Sequence, residues 1–196
     1  MSIDARDRIL DACERVIAVS GLAKFRMSAV ATEAGVSIGL LSYHFGDRDG
    51  LLQAALDRVN AGATSRAATM PELQTARARL EALLCSDFGD DEQVRAGSIV
   101  WNEVRAAAVF DADRAVVLSR STSSWQDAVR ELVAETAVET AMSAGAGAGA
   151  ALQLDFDLAA LSLTALVEGL SGRWLTGQIT ASQAQSTVRA AVRSLV

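Results

Sequence analysis

Apolar residues recur along most of this 196-residue chain at spacings of three and four, which is the period of an amphipathic helix. The first such stretch covers residues 4–20, and Gly21 follows it as a helix-ending residue. Longer apolar stripes run over 111–136 and 156–174, and a further one occupies 188–195. No segment shows the alternation with a period of two that is typical of a strand. The pattern therefore predicts an all-α protein.

Capping residues divide these stripes into separate helices. Asp47 is expected to cap a helix over about 48–67, and Thr69-Met-Pro-Glu72 forms a capping box with a proline in the first turn. The helix that this box begins is expected to end near Asp87. The expected starts of three later helices are Asp90 with Gln93, Asp111, and Thr180 with Gln183.

Residues 25–46, FRMSAVATEAGVSIGLLSYHFG, have the spacing of two short helices packed across a tight turn. Gly35 is expected to end the first helix as a left-handed cap, and Ser37 can cap the second through its hydroxyl. Leu41 and Phe45, four residues apart, then form the buried side of the second helix. This is the plan of a helix-turn-helix, whose second helix enters the major groove of DNA with its N-terminal half.

The second of these helices has an outward face with little charge. It carries the aliphatic side chains of Ile38 and Leu40, followed by Tyr43 and His44, whose rings also bear hydrogen-bonding groups. Such a face needs a partner surface, which favours DNA binding over the alternative, an alanine-rich helical hairpin of the kind common in all-α proteins. Leu40 would contact a thymine methyl group rather than donate a hydrogen bond.

Net charge limits the kind of nucleic-acid contact that this chain can make. The formal charge is −6 at pH 7, and residues 1–60 hold seven basic against eight acidic side chains. This argues against a coat protein that binds nucleic acid without sequence preference. DNA binding must therefore rest on a few positively charged side chains at defined positions, on a surface shape that fits DNA, and on two DNA-binding domains per dimer.

The residue inventory argues against an enzyme. His44 is the only histidine in the chain, so no second histidine can serve serine, cysteine or metal chemistry. Cys13 and Cys85 lack metal-ligand spacing and are expected to be buried free thiols. The stretch 143–151 lacks the third glycine and the preceding strand of a dinucleotide fingerprint, so it is predicted to be a flexible loop. No metal and no cofactor are expected.

The sequence shows no sign of export or membrane insertion. Its N-terminus lacks the apolar core of a signal peptide, and the longest charge-free apolar run, 158–167, is too short to span a bilayer. We therefore expect a cytoplasmic protein with no membrane partner.

Residues 6–58 resemble the N-terminal domain of TetR-family transcriptional regulators. The matching pieces are a first helix ending in Ser20-Gly21, the AGVS turn, the HF pair, and GDRDGLL opening a fourth helix. The resemblance implies a dimeric all-α repressor that releases operator DNA when a small molecule enters its C-terminal domain. It divides the chain into a three-helix helix-turn-helix domain over 1–47 and a helical domain for ligand binding and dimerisation over 48–196.

The resemblance also implies which residues touch DNA. Arg26 and Ser28 would meet a phosphate together with backbone N–H groups and the helix dipole, although Arg26 could also be an ordinary solvated arginine. His44 and Arg48 would contact the DNA backbone, with a purely structural role as the alternative for this lone histidine. The full set of expected DNA contacts is Arg26, Ser28, Ser37, Ile38, Gly39, Leu40, Tyr43, His44 and Arg48.

Residues 79–196 are similar to the ligand domain of the BetI-type branch of that family. The shared features are Trp101, Trp125 and the acidic-Gly-Leu triplet that begins at Glu168. Members of this branch control genes for choline and glycine betaine, and relatives respond to polyamines and other cations. The resemblance therefore implies a small-molecule effector that binds in this part of the chain.

Two departures from that branch leave the effector open. Arg105 and Ser171 stand where the branch carries aromatic residues, which weakens an aromatic cage for a quaternary ammonium group. A cationic amine is favoured if Glu168 faces the pocket, whereas an inward Arg105 would favour an anionic group. The predicted ligand-binding residues are Trp101, Arg105, Trp125 and Glu168, with core packing as the alternative for Trp101, Trp125 and Trp174.

A helix that is apolar on two faces, over 155–176, has more apolar surface than one chain can cover. Together with the last helix it predicts a homodimer with a four-helix interface. The alternative to a regulator is a helical adaptor that uses the same head to bind protein and has no DNA-binding activity. Salt-dependent, sequence-specific DNA binding distinguishes the two.

Overall fold

A computed structural model describes residues 4–68, 75–145 and 154–196 of the chain. Within those ranges the backbone forms nine α-helices and one 3-10 turn, and no strand. The helices are α1 (Ala5–Ser20), α2 (Met27–Ala34), α3 (Ile38–Phe45), α4 (Arg48–Ala68), α5 (Ala76–Cys85), α6 (Glu92–Ala108), α7 (Ala112–Ser143), α8 (Phe156–Leu175) and α9 (Ala181–Leu195), and the 3-10 turn covers Leu22–Lys24. The all-α prediction is confirmed.

The chain packs as two compact units. Unit 1 comprises Met1–Ala61 and Arg95–Ser121, and unit 2 comprises Gly62–Val94 and Thr122–Val196. These packing units do not follow the predicted division at 47/48, because the first half of α4 is buried with the N-terminal helices. The division by function into 1–47 and 48–196 stays a prediction.

Unit 1 is built around the buried face of α1. Asp4 caps this helix through its side chain, and Gly21 follows its end with a φ of 73°. Ile9, Cys13 and Ile17, which the helical period places on one face, are all completely buried. The side chains that pack with this face include Leu22, Phe25, Val30, Leu41, Leu51, Leu52, Leu56, Val100 and Val104.

The core of unit 2 is formed by α5, the later part of α7, α8 and α9. Trp125 and Trp174 belong to this core and are 8% and 7% exposed. The ring of Trp174 meets that of Phe88 edge to face, with 5.8 Å between the centroids. This arrangement stabilises the pair beyond the area it buries. Trp125 and Trp174 therefore have the surroundings that are expected of tryptophans packed in a core.

Among the described residues, the helix starts follow the predicted caps with one exception. Thr180 and Gln183 form the expected capping box, and the Asp111 carboxylate caps α7. The prediction at Asp90 is wrong by one residue, because the Asp91 carboxylate accepts the hydrogen bonds from the first-turn N–H groups of α6 at 2.8 and 3.2 Å. A side chain reaches those donors from the N-cap position, and Asp90 lies one residue before it.

Two predicted features fall outside the described residues. These are the capping box at 69–72 and most of the glycine-rich stretch 143–151. The helix described after the first of these, α5, is capped by Thr75 and ends at Cys85, two residues before the predicted end.

Both cysteines are free and buried, as predicted. Burial raises the pKa of Cys13 to about 12 and that of Cys85 to about 11. The thiolate form, which carries cysteine reactivity, is therefore suppressed at neutral pH.

In the part of the chain that the structure describes, no helix combines the length and the apolar character needed to cross a membrane.

Candidate nucleic-acid interface

Backbone geometry and one side chain hold α2 and α3 across the predicted tight turn. Gly35 adopts the left-handed conformation, with φ 67° and ψ 39°. The N–H of Val36 then donates to the Ala31 carbonyl at 3.0 Å, which satisfies an acceptor at the end of α2. Ser37 caps α3, since its Oγ accepts a hydrogen bond from the Leu40 N–H at 3.2 Å. Both predicted caps are confirmed, and the turn is that of a helix-turn-helix.

Helix α3 buries one side and exposes the other. Leu41 is completely buried in unit 1, while Tyr43 is 83% and Ile38 51% exposed. Ser37 and Gly39, on either side of Ile38, are exposed as well. The N-terminal half of α3 is therefore an open surface, and this is the part of a recognition helix that contacts base edges.

Leu40 and His44 lie at the border of that surface and are half-buried. The His44 ring lies 5.3 Å from the Tyr43 ring, edge to face, and 5.9 Å from the Phe45 ring. This position fits both interpretations of the histidine, since the ring packs against its neighbours and still reaches the surface.

Arg26 and Ser28 lie at the start of α2. Arg26 is the N-cap residue and has an extended backbone, and its Nη1 donates to the carbonyls of Ala23 and Phe25 at 3.0 and 2.9 Å. Ser28 is exposed in the first turn. The guanidinium is thus tied to the loop beside a helix N-terminus, where the helix dipole and backbone N–H groups favour an anion.

Arg48 is more enclosed than a free surface cation. Its Nη2 donates to the Leu22 carbonyl at 3.3 Å, and its guanidinium carbon lies 5.1 Å from the centroid of the Phe25 ring. Burial, followed by the positive charge of Arg114, lowers the pKa of Arg48 from its usual value. The side chain therefore fastens the start of α4 to the 3-10 turn, and a phosphate contact would use its remaining donors.

Two further hydrogen bonds fix the loops around this surface, and sequence reasoning predicted the first of them. Asp47 caps α4 as expected, with its Oδ1 accepting a hydrogen bond from the Gly50 N–H at 2.9 Å. Gly50 itself was missed, although a glycine after a capping aspartate was a usable signal: a Cβ there would lie 2.1 Å from the Phe45 carbonyl oxygen. Glu103 was also missed. Its Oε2 accepts from the Leu22 N–H at 2.7 Å across 81 positions, and no local pattern reports such a contact.

The four predicted effector residues divide between the two units. Trp101 and Arg105 lie on α6 in unit 1, where the guanidinium carbon of Arg105 is 5.8 Å from the centroid of the Trp101 ring. Trp125 lies in the core of unit 2, and Glu168 is half-buried on α8. Because the Arg105 cation covers one face of Trp101, that face is not open to a ligand cation.

The turn, the exposed α3 and the helices that follow define an all-α helix-turn-helix protein. Residues 9–55 match the family described as bacterial regulatory proteins, tetR family, and residues 76–196 match the family described as BetI-type transcriptional repressor, C-terminal. The second match alone covers more than half of the chain. The chain therefore belongs to the tetR family of bacterial regulatory proteins, with a C-terminal part of the BetI-type repressor family. This confirms the predicted resemblance, and the family is one of regulators rather than enzymes.

Individual relatives agree with this assignment. The HTH-type transcriptional regulator BetI of Burkholderia thailandensis is 38% identical over 96 residues, which are 46% of this chain and 47% of that relative. The chain thus spans about half the length of the curated relatives it matches. A Rhodococcus sp. structure assigned to the TetR-family transcriptional regulators is 37% identical, with 97% of each chain covered and a TM-score of 0.85.

A second solved structure supports the fold alone. It is a transcriptional regulator from Saccharomonospora viridis in complex with choline, which is 24% identical, with 96% of this chain and 95% of that chain covered and a TM-score of 0.70.

Proposed function

We propose that this chain is a sequence-specific DNA-binding transcriptional regulator that represses its target genes and uses α3 as its recognition helix. The observation that supports this best is the outward face of α3, which is open while Leu41 anchors the opposite side. The residues proposed to face bases and the adjoining backbone are Ser37, Ile38, Gly39, Leu40 and Tyr43. The residues proposed to contact phosphates are Arg26, Ser28, His44 and Arg48.

In this proposal residues 1–47 read the DNA, and residues 48–196 bind an effector and pair with a second copy. The protein acts in the cytoplasm, where its operator DNA is accessible. Family membership favours a regulator over the alternative of a helical adaptor that uses the same head to bind protein.

Fluorescence anisotropy with labelled DNA from upstream of the gene tests this proposal. We expect saturable binding that weakens as salt is raised and is much weaker for a scrambled duplex. Tyr43→Ala should lower operator affinity by about tenfold, the value of one good contact. Phe110→Ala is the matched control, because it removes another strongly exposed aromatic side chain, 91% exposed, from outside α3. Equal binding to operator and scrambled DNA, or equal affinity of the two variants, would contradict the assignment, and absence of binding would favour the adaptor.

We further propose that a small cationic amine is the effector. The BetI-type family match over 76–196 and the choline bound to the Saccharomonospora viridis regulator support this class of ligand. Within the predicted set, Glu168 is the one carboxylate, while Arg105 already occupies a face of Trp101. We therefore expect Glu168 to matter more than an aromatic cage built on Trp101.

Thermal-shift measurements with choline and spermidine, at matched ionic strength, test the effector proposal. A ligand that raises the melting temperature should also weaken DNA binding, with a coupling of about 1–3 kcal/mol. Glu168→Gln should abolish the shift, and Glu131→Gln, at an exposed position on α7, is the matched control. If the ligand still binds and still releases DNA in both Glu168→Gln and Trp101→Ala, the pocket lies elsewhere.

A further inference from the structure

Unit 1 contains a cleft of about 460 Å³. The cleft itself has no part in the DNA-binding or effector-binding roles proposed so far. Its walls come from the 3-10 turn, the start of α4, the end of α6 and the start of α7. The charged residues that line it are Arg26, Arg48, Glu103 and Arg114. Three guanidinium groups therefore face a small space with one carboxylate.

The one carboxylate of the lining is already engaged, because Glu103 accepts the hydrogen bond from the Leu22 N–H. In the described part of the chain, Arg26 and Arg48 form no ion pair with any acidic side chain, and their hydrogen bonds go to backbone carbonyls. Burial lowers the pKa of Arg48 most, and the positive charges of Arg114 and Arg26 lower it further, while Asp49 and Asp111 act in the opposite direction. The cleft thus concentrates like charges that an anion would stabilise.

Among the three arginines, Arg114 gives the most specific indication that the cleft binds an anion. Its Nη1 pairs with Asp111 Oδ2 at 2.8 Å. Its Nε, however, is buried and has no hydrogen-bond partner among the described residues. A buried donor without an acceptor is costly, and Arg114 lines the cleft, so a ligand oxygen that reached this Nε would remove that cost.

We propose that this cleft binds a small multivalent anion that carries phosphate or carboxylate groups. Guanidinium groups recognise such oxygens through paired N–H donors, and the volume lies within the range of small-molecule sites. The apolar walls at Ala106 and Ala107 leave the three arginines as the anchoring groups. The site is distinct from the predicted effector residues and does not depend on DNA binding.

A consequence follows if the proposed function is also correct. Arg26 and Arg48 are proposed phosphate contacts of the operator, so an anion in the cleft would compete for the same cations. The bound anion would then lower DNA affinity at constant ionic strength.

Isothermal titration calorimetry tests the site. The full chain is titrated with sodium pyrophosphate and with sodium citrate, without DNA and at fixed ionic strength. We expect saturable binding with one anion per chain. Arg114→Gln should weaken it by about tenfold, because a charge-assisted pair is lost. Arg8→Gln is the matched control, since it removes one positive charge from an exposed position on α1 and should bind as the wild-type chain does. Absence of saturable binding, or equal weakening by both variants, would overturn the proposal.

Two further measurements keep the test independent of folding and of DNA. The Nε–H resonance of Arg114 should shift on titration with pyrophosphate in a nitrogen-15 NMR spectrum, and an unmoved resonance would exclude this donor. Arg114→Lys, which keeps the charge without the planar fork, should fold and still lose affinity. If Arg114→Gln weakens DNA binding while neither probe binds the wild-type chain, the cleft is a DNA contact and the small-anion site is wrong.

Discussion

Gly50 occupies a position at the start of α4 where a larger residue does not fit. An added Cβ atom would lie 2.1 Å from the Phe45 carbonyl oxygen, which belongs to the backbone at the end of α3. We expect Gly50→Ala to lower the free energy of unfolding by about 1–3 kcal/mol, as overpacking usually does, and to displace the end of α3. Thermal or urea denaturation measures the loss.

The control for this substitution is another glycine of the same unit. At Gly39 the nearest atom to an added Cβ is Ser37 Oγ at 3.8 Å, which is ordinary contact. Since alanine is the better helix former, Gly39→Ala should leave the melting temperature unchanged or raise it. Equal stability of Gly50→Ala and the wild-type chain would contradict the packing argument.

Glu14 is a buried acid in α1, and its ion pair with Arg58 does not offset the cost of burying its negative charge. Its Oε1 lies 3.6 Å from Arg58 Nε and has no hydrogen-bond partner in the described residues. Burial raises the pKa of Glu14 from 4.5 to about 7, against the lowering effect of Arg58 and with a further raising effect from Asp11. The folded chain therefore binds more protons than the unfolded chain between these two pH values.

Stability should accordingly fall as pH rises from about 4.5 to about 7, because the raised pKa belongs to the folded state. Glu14→Gln removes the buried charge, so it should stabilise the chain at pH 8 by at most about 3 kcal/mol and change little at pH 4. Melting curves at both pH values measure this, with Glu33→Gln on the exposed Arg15 pair as the control. Destabilisation by Glu14→Gln that is larger at pH 8 than at pH 4 would show that the Arg58 ion pair outweighs burial.

At the scale of elements, Ser37 combines two roles in α3 that substitution can separate. Its Oγ caps the helix through the Leu40 N–H, and its exposed position belongs to the proposed DNA surface. Ser37→Ala should lower stability by about 1 kcal/mol, because the cap is lost. Ser37→Asp keeps an N-cap acceptor, so stability should be retained while operator affinity falls through repulsion of phosphates. Denaturation and anisotropy on both variants test this, and loss of stability in Ser37→Asp would contradict the capping role.

A structural feature can be predicted from the sequence when the residues that define it lie close together along the chain. The turn at Gly35 and the cap at Ser37 rest on hydrogen bonds between residues at most five positions apart, so the sequence predicted them correctly. The contact from Glu103 to Leu22 joins distant parts of the chain and leaves no periodic trace. The stripe around Trp125 was predictable as apolar, but helical period alone cannot say whether a cavity or a packed core covers it.

At the scale of the whole molecule, α8 presents two apolar faces with different surroundings. Ala160, Leu163 and Val167 are buried in the core of unit 2. On another face, Leu158 and Leu161 are 60% and 52% exposed, and the small residues Ala165 and Gly169 continue this exposed stripe at spacings of four. A stripe of this kind on a helix that is already anchored in a core favours association with a second copy.

We therefore expect a homodimer, and Leu161→Glu should convert it to a monomer by placing a charge in the apolar stripe. Light scattering coupled to size-exclusion chromatography should give twice the chain mass for the wild-type protein and one chain mass for the variant at micromolar concentration. Val19→Glu is the matched control, because Val19 is 88% exposed on α1 and outside the stripe, so it should remain dimeric. Helix-turn-helix dimers engage two half-sites about 34 Å apart, so the monomeric variant should also lose most operator affinity. A wild-type monomer, or a dimer that survives Leu161→Glu, would place the interface elsewhere or remove it.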